Sequence, residues 1–521
     1  MRRVLLLIWT VCCLHVWAQQ LRNPIIPGFH PDPSVCRVGA DYYLVNSSFE
    51  YFPGVPLFHS TDLQHWEQMG NVLTRESQLS LREASGWQGI YAPTIRYHQG
   101  RYYVITTNVG RKNRREGETS DNFMVTATNP TGPWSDPIWL KQGGIDPSLY
   151  FEGSRCYMVS NPDNVITLCE IDPRTGRQLT QSRAIWQGTG GRWPEGPHIY
   201  KRGVYYYLLI SEGGTELAHS VTIARSRNIY GPYEANPHNP ILTHCSLKGQ
   251  DSPIQGTGHG DLVEDADGKW WMTFLAYRNY NGSYHHLGRE TFLAPVEWTA
   301  EGWPVVNGGE PIVMNEPPRQ HRYVDFMKPL GPEMIHLQNP DSTAYWQHDG
   351  KMRLYGAVHE MQLNRQPTFL GMRQEAALFT MDTKISEVEL EDGDEAGLCV
   401  YQMHDGHVQC SLNNTRGVYR LKVRLNLKGV RTLIADRILG NMKVDTMWLR
   451  VKSNGQKYSF YYSTDGEKYR WLESVHCSLL STETVGGFTG VTLGIYAHMG
   501  SSKYQSGRSY ADFDYIEYTE Q

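Results

Sequence analysis

Five segments of the chain open an apolar, strand-like run in the same way, and four of them place a chemically useful residue at its start. The five are Asp32-Pro-Ser-Val, Ala92-Pro-Thr-Ile, Asp146-Pro-Ser-Leu, Glu195-Gly-Pro-His-Ile and His259-Gly-Asp-Leu-Val. Three supply a carboxylic acid at the same place and a fourth supplies a histidine. Acids gathered at one spot repel when ionised, so the pKa of at least one must rise. One acid that keeps its proton beside one that stays charged is the equipment of general acid–base catalysis. Asp-Pro alone is a common turn signal; the recurrence in register is what carries weight.

The elements that must position these residues are visible as a weak repeat. Gly39, Gly100, Gly153, Gly203 and Gly268 each precede an aromatic-rich strand, as in Gly100-Arg-Tyr-Tyr-Val-Ile, and lie 50 to 65 residues apart. Each reads as the turn between a first and a second strand. A recurring β-rich unit of this size predicts propeller blades, five of them over residues 19–318, with a large sandwich as the alternative. Innermost propeller strands line the central channel, so their first residues converge at one mouth.

Composition narrows the partners. Lys and Arg total 49 against 54 Asp and Glu, a formal charge of −5, so no basic excess exists to neutralise nucleic-acid phosphates. Tyr (32) and Trp (15) outnumber Phe (14), and their flat faces with polar edges suit sugar rings as well as sheet surfaces. Residues 1–18 read as a signal peptide, with Arg2-Arg3, an apolar stretch from Val4 to Trp17 and a small-residue end at Ala18. Export to a periplasm or beyond the cell is the expectation, with no later membrane span. Beyond the leader seven cysteines remain without a Cys-x-x-Cys pair; one disulfide is compatible but not demanded.

The motifs together resemble glycoside hydrolase family 43, the β-xylosidases and α-L-arabinofuranosidases. They are His30-Pro-Asp32-Pro-Ser34, Gly144-Ile-Asp146-Pro-Ser148, Trp193-Pro-Glu195-Gly-Pro-His198, Glu212-Gly-Gly-Thr215, Gly258-His259-Gly-Asp261 and His286-Leu-Gly-Arg289-Glu290. The resemblance runs on through Phe326-Met-Lys-Pro-Leu-Gly and Pro367-Thr-Phe-Leu to Ala511-Asp-Phe-Asp-Tyr, nearly the whole chain after the leader. It implies an all-β protein, a five-bladed β-propeller followed by a C-terminal β-sandwich at 322–521. By resemblance Asp32 is the general base, Glu195 the general acid, and Asp146 the carboxylate that tunes and orients the acid. The family inverts configuration, which requires acid and base about 6.5–9.5 Å apart to admit a water.

Further roles follow the same resemblance. Arg289 matches a pocket arginine and Phe49 an aromatic of the first sugar subsite. His259 lies near the channel axis, where some members hold calcium or sodium, so a structural calcium there is a candidate although no cofactor is required. Trp87 and Trp193 either stack on sugar or pack between strands. Many xylosidase-like members carry Gly-Ile-Trp-Ala-Pro where this chain has Gly89-Ile-Tyr91-Ala-Pro93, a difference that leans toward arabinofuranosidase.

From residue 322 short strands recur at even spacing, with a strong hairpin signal around His404-Asp-Gly-His407. This domain reads either as a carbohydrate-binding module or as a lid on the propeller, and Gly486-Gly-Phe488-Thr-Gly490 matches a loop that sends an aromatic to the pocket. The expected activity is release of non-reducing-end α-L-arabinofuranose from arabinoxylan, arabinan or xyloglucan fragments. The alternatives are β-D-xylosidase or dual activity, an endo-acting arabinanase, and a non-catalytic sugar-binding propeller.

Overall fold

The computed structural model describes residues 21–111, 120–247, 252–280, 282–441, 444, 446–500 and 509–521. The leader expected at 1–18 lies outside the described residues.

Five antiparallel sheets follow one another along the chain. Blade I has strands Ser34–Val38, Asp41–Val45, Gly54–Ser60 and Glu67–Leu73, and blade II Gly89–His98, Arg101–Val109, Asn122–Ala127 and Ile138–Trp139. Blade III has Ser148–Glu152, Arg155–Ser160, Ile166–Ile171 and Arg183–Trp186. Blade IV has Glu195–Arg202, Tyr205–Glu212, Ser220–Ser226 and Glu234–Ala235, with Leu242–Thr243 also paired to its third strand. Blade V has Ile254–Glu264, Trp270–Arg278, Arg289–Trp298 and Pro304–Val306. The five repeat glycines all fall between first and second strands, each with positive φ, from 59° at Gly203 to 80° at Gly100 and Gly268. That is the backbone state a tight hairpin demands and glycine adopts without steric cost. The ring is closed by the N-terminal segment: Asn23 exchanges side-chain hydrogen bonds with the backbone of Leu293, and Ile26 bridges to Thr291.

The second half is a two-sheet sandwich. One sheet is built on Leu378–Glu389, Met447–Asn454 and Tyr510–Glu520, the other on Thr368–Arg373, Thr492–His498, Glu395–Met403 and Gly406–Thr415. The hairpin expected around His404–His407 joins Glu395–Met403 to Gly406–Thr415. Alternating burial, as in Lys351–Tyr355 and Val418–Leu427, shows strands with one face on the core. All seven described cysteines are free thiols, and only Cys245 is exposed.

The two domains share a core rather than a linker. His336–Leu337 pairs with Tyr51–Phe52 of the propeller, and Phe29, Phe49 and Tyr51 pack in one buried cluster with Phe369, Tyr401 and Tyr496 of the sandwich. Glu50 is sealed in this seam. Its Oε1 accepts from the Tyr401 hydroxyl at 3.1 Å, and its Oε2 has no partner. Burial pushes its pKa from 4.5 up to about 8, against a smaller lowering by Tyr401. The folded state therefore keeps a proton that the unfolded chain releases above pH 4.5. Glu50's contribution to stability is fully present below that pH and fades as pH rises to about 8, by about 1 kcal/mol per pH unit. Glu50→Gln, which cannot ionise, should gain in unfolding free energy over the native protein as pH rises from 5 to 8. A pH-independent difference would show that Glu50 does not titrate in the seam.

Candidate active site

The channel mouth is assembled by a shared backbone device. Asp32, Asp146 and His259 all adopt left-handed φ, at 54°, 53° and 49°. Phe49 and Trp193 do likewise at 48° and 51°. Such conformations cost non-glycine residues of order 1 kcal/mol or more each, and their clustering marks a site the surrounding fold over-determines. In blades I and III the acid stands two residues before the first strand. In blades II, IV and V the innermost strand instead breaks register near Tyr91, Glu195 and Gly258, which re-aims the local side chains.

Asp32 is held as an anion. Ser47 Oγ donates to its Oδ2 at 2.5 Å and Arg289 Nη1 to its Oδ1 at 3.1 Å, with His259 Nδ1 3.8 Å away. Burial alone would raise its pKa, but Arg289, then His259 and Ser47, outweigh it and leave the carboxyl below its ordinary value. Asp146 goes the other way. Burial first, then the charges of Glu195 and Asp32, lift its pKa well above normal, although Gly196 N donates to Oδ2 at 3.1 Å. The site thus contains one committed carboxylate, Asp32, and one proton retained beside Glu195.

Glu195 begins the first strand of blade IV, its side chain 18% exposed where Asp32's is 7%. The loop that delivers it is moored by Glu212, a role sequence motifs did not reveal. Both Glu212 oxygens accept from Thr189 N; Oε1 also takes Gly191 N, and Oε2 takes Thr189 Oγ1 and Thr222 Oγ1. A Cβ at Gly188 would come within 2.5 Å of the Glu212 carboxylate, so glycine there is a matter of space.

Arg289 ties the acids to the walls. It donates to Thr215 Oγ1 at 2.9 Å, and its guanidinium carbon lies 5.7 Å from the Phe49 ring and 5.8 Å from the Phe488 ring. Phe49 belongs to the propeller and is wholly buried; Phe488 comes from the sandwich. Tyr91 packs against both, 4.9 Å from Phe49 and 6.5 Å from Phe488, and its hydroxyl donates to Trp87 O. Trp87 meets Phe488 edge-on at 5.7 Å. Trp193 stands apart, half exposed, with Arg192 over its ring at 4.6 Å and Gly214 leaving space beneath it. A cavity of about 450 Å³ opens beside Arg289 and Phe488, bounded by Glu483 of the sandwich, whose Oε1 meets His285 Nδ1 at 2.5 Å.

Beneath the acids the channel is plugged by a buried ion pair. Arg96 contacts Asp261 at 2.9 and 3.2 Å, and also Ser34 Oγ and His198 Nδ1; the Tyr200 hydroxyl donates to Asp261 at 2.5 Å. Arg96 leads the interactions that, against burial, hold Asp261 far below the usual carboxylate range. The axial charge is thus matched by a guanidinium. Among the described residues no group of three or more His, Cys, Asp or Glu side chains gathers as a metal site. His259, the candidate calcium neighbour, is buried with its pKa lowered mainly by desolvation. Acid–base hydrolysis by carboxylates requires no cofactor.

Two family profiles match the chain: Glycosyl hydrolases family 43 over residues 21–304, and the Beta xylosidase C-terminal Concanavalin A-like domain over 324–519. The chain is 39% identical to a non-reducing end α-L-arabinofuranosidase of Bacteroides ovatus, covering 95% of this chain and 94% of that one. It is 37% identical to a xylosidase/arabinosidase of Butyrivibrio fibrisolvens, covering 95% and 98%. Among solved structures, a Bacteroides ovatus protein described as Xyloglucan PUL GH43B superposes with a TM-score of 0.87 at 37% identity, over 96% of this chain and all of that one. A Bacillus halodurans xylan β-1,4-xylosidase gives 0.87 at 32%, over 96% and 100%. With its propeller, its sandwich and the acids at the channel mouth, the chain belongs to glycosyl hydrolase family 43 and is a glycoside hydrolase.

Proposed function

We propose that the protein is an inverting exo-glycosidase that removes single α-L-arabinofuranose units from the non-reducing ends of hemicellulose fragments. The observation that carries this is the opposed state of the acids: Asp32 is fixed as an anion by Arg289 and Ser47, while a proton is retained where Asp146 meets Glu195. In the reaction Glu195 gives a proton to the glycosidic oxygen as the bond to the anomeric carbon breaks. A water attacks that carbon from the opposite face and passes its proton to Asp32. Asp146 orients the acid through its loop, since Gly196 N–H, next to Glu195, is its hydrogen-bond donor. The sandwich closes one wall with Phe488, which favours chain ends over internal linkages.

The choice of arabinose rests on two supports. Tyr91 is shorter than the tryptophan of xylosidase-like members and turns its hydroxyl away, to Trp87 O. The Bacteroides ovatus relative is named for that activity. Paired assays on aryl α-L-arabinofuranoside and aryl β-D-xyloside should show arabinose release dominant by about fivefold or more, with a single pentose as the first product from oligosaccharides. Dominant xylose would replace this reading with a β-xylosidase. Binding of arabino-oligosaccharide by folded protein without released pentose would leave a sugar-binding propeller instead.

A further inference from the structure

His219 follows the Glu212-Gly-Gly-Thr215 loop and immediately precedes the third strand of blade IV. Its side chain is completely buried, yet its Nε2 has no hydrogen-bond partner. That nitrogen lies 3.4 Å from Glu195 Oε1. The ring is fixed from the other side: Nδ1 is 3.1 Å from Gly256 O, and a Cβ on Gly258 would come within 2.2 Å of Cε1. A carbonyl oxygen accepts only, so Nδ1 carries the hydrogen. In the neutral ring the lone pair is then on Nε2, the nitrogen 3.4 Å from the acid.

A lone pair facing Glu195 repels its carboxylate and accepts from its carboxylic acid. On the other side, Asp146 Oδ2 accepts from Gly196 N, a bond that favours ionised Asp146. We propose that neutral His219 is a positioning residue that holds the proton shared by Asp146 and Glu195 on Glu195, the one oxygen of the pair that must deliver it to the leaving group. The inference rests on Glu195 being the general acid. The groups interacting with Glu195 include Asp146 from blade III, His259 from blade V, Tyr91 from blade II and His219 from its own blade. Asp32 and Arg289 complete the charged surroundings of Asp146. Asp146 competes for the proton, His259 has its pKa lowered chiefly by burial, and His219 supplies the unpartnered acceptor. The ring loses and gains no proton through the cycle: Glu195 gives its proton to the leaving oxygen and takes one back when the site re-equilibrates with water.

The test uses two variants of the whole protein. His219→Asn keeps an N–H for Gly256 O but places nothing at the Nε2 position; His219→Gln reaches that position with a carbonyl acceptor. On an unactivated arabinoside, the alkaline limb of kcat/KM in His219→Asn should move about one pH unit lower, with activity at pH 8 down about tenfold. His219→Gln should recover most of this, and an aryl substrate whose leaving group needs no proton should show no movement of the limb. A stationary limb, an upward shift as removal of an imidazolium would give, or failure of the Gln variant to restore it would overturn the proposal. Should the variants not fold, ¹⁵N-histidine spectra of the native protein decide: the proposal requires a neutral Nδ1–H ring in the active protein, and an imidazolium signal sinks the idea. Glu195→Gln as control separates the two readings, because equal losses on both substrate classes would remove Glu195 as acid whatever His219 does.

Discussion

Glu195→Gln should lower kcat/KM roughly 10²–10⁴-fold on natural arabinosides, the span that general acid catalysis contributes, and hardly at all on an aryl glycoside whose leaving group departs unprotonated. Glutamine preserves volume and can turn its amide N–H to the His219 Nε2 lone pair, so the loop moored by Glu212 should stay in place. What disappears is the transferable proton. The dependence of the loss on leaving-group acidity is therefore the signature, read as the slope of log kcat/KM across a series of aryl arabinosides. A loss of equal size along the whole series would mean that Glu195 is needed for the shape of the site and not for proton donation.

Asp32→Asn should lose a similar 10²–10⁴-fold on every substrate in that series, because water must be deprotonated whichever group leaves. The neighbours explain why no other carboxylate replaces it. Arg289 and Ser47 serve Asp32 directly, whereas Asp146, buried and facing two other acids, has its pKa raised and shares a proton with Glu195. Since those partners hold Asp32 below the ordinary carboxylate range, the acidic limb of the native pH profile should lie low, with the base still ionised under mildly acidic conditions. Asparagine also leaves Arg289 facing a neutral amide between the Phe49 and Phe488 rings, so KM should rise alongside the fall in kcat. Activity above a few per cent of native on both substrate classes would remove Asp32 as the base.

Much of this architecture was written locally. The five turn glycines, the aromatic strands after them and the acids before them sit close together in sequence, and strand period and turn chemistry act over a few residues. That is why the blades, the hairpin at His404–His407 and the convergence of Asp32, Asp146, Glu195 and His259 at one channel mouth were legible in the chain. The motif Gly258-His259-Gly-Asp261 was visible too, but not that Asp261 turns inward to pair with Arg96, 165 residues away.

The tertiary structure alone decided the rest. Asp32 and Asp146 share the same Asp-Pro-Ser context, yet the pKa of one is lowered and that of the other raised. The difference comes from Arg289, Ser47 and Glu195, which no local pattern ties to either acid. His219 lacks any sequence signal, because its importance lies in an unpartnered nitrogen 3.4 Å from Glu195. Phe488 reaches Arg289 only because the sandwich shares a buried core with blade I. Sequence periodicity specifies which face of a strand is apolar; the charge state of a buried acid depends on every partner within a few ångströms, and those partners are brought together only by the closed ring and the domain packed against it.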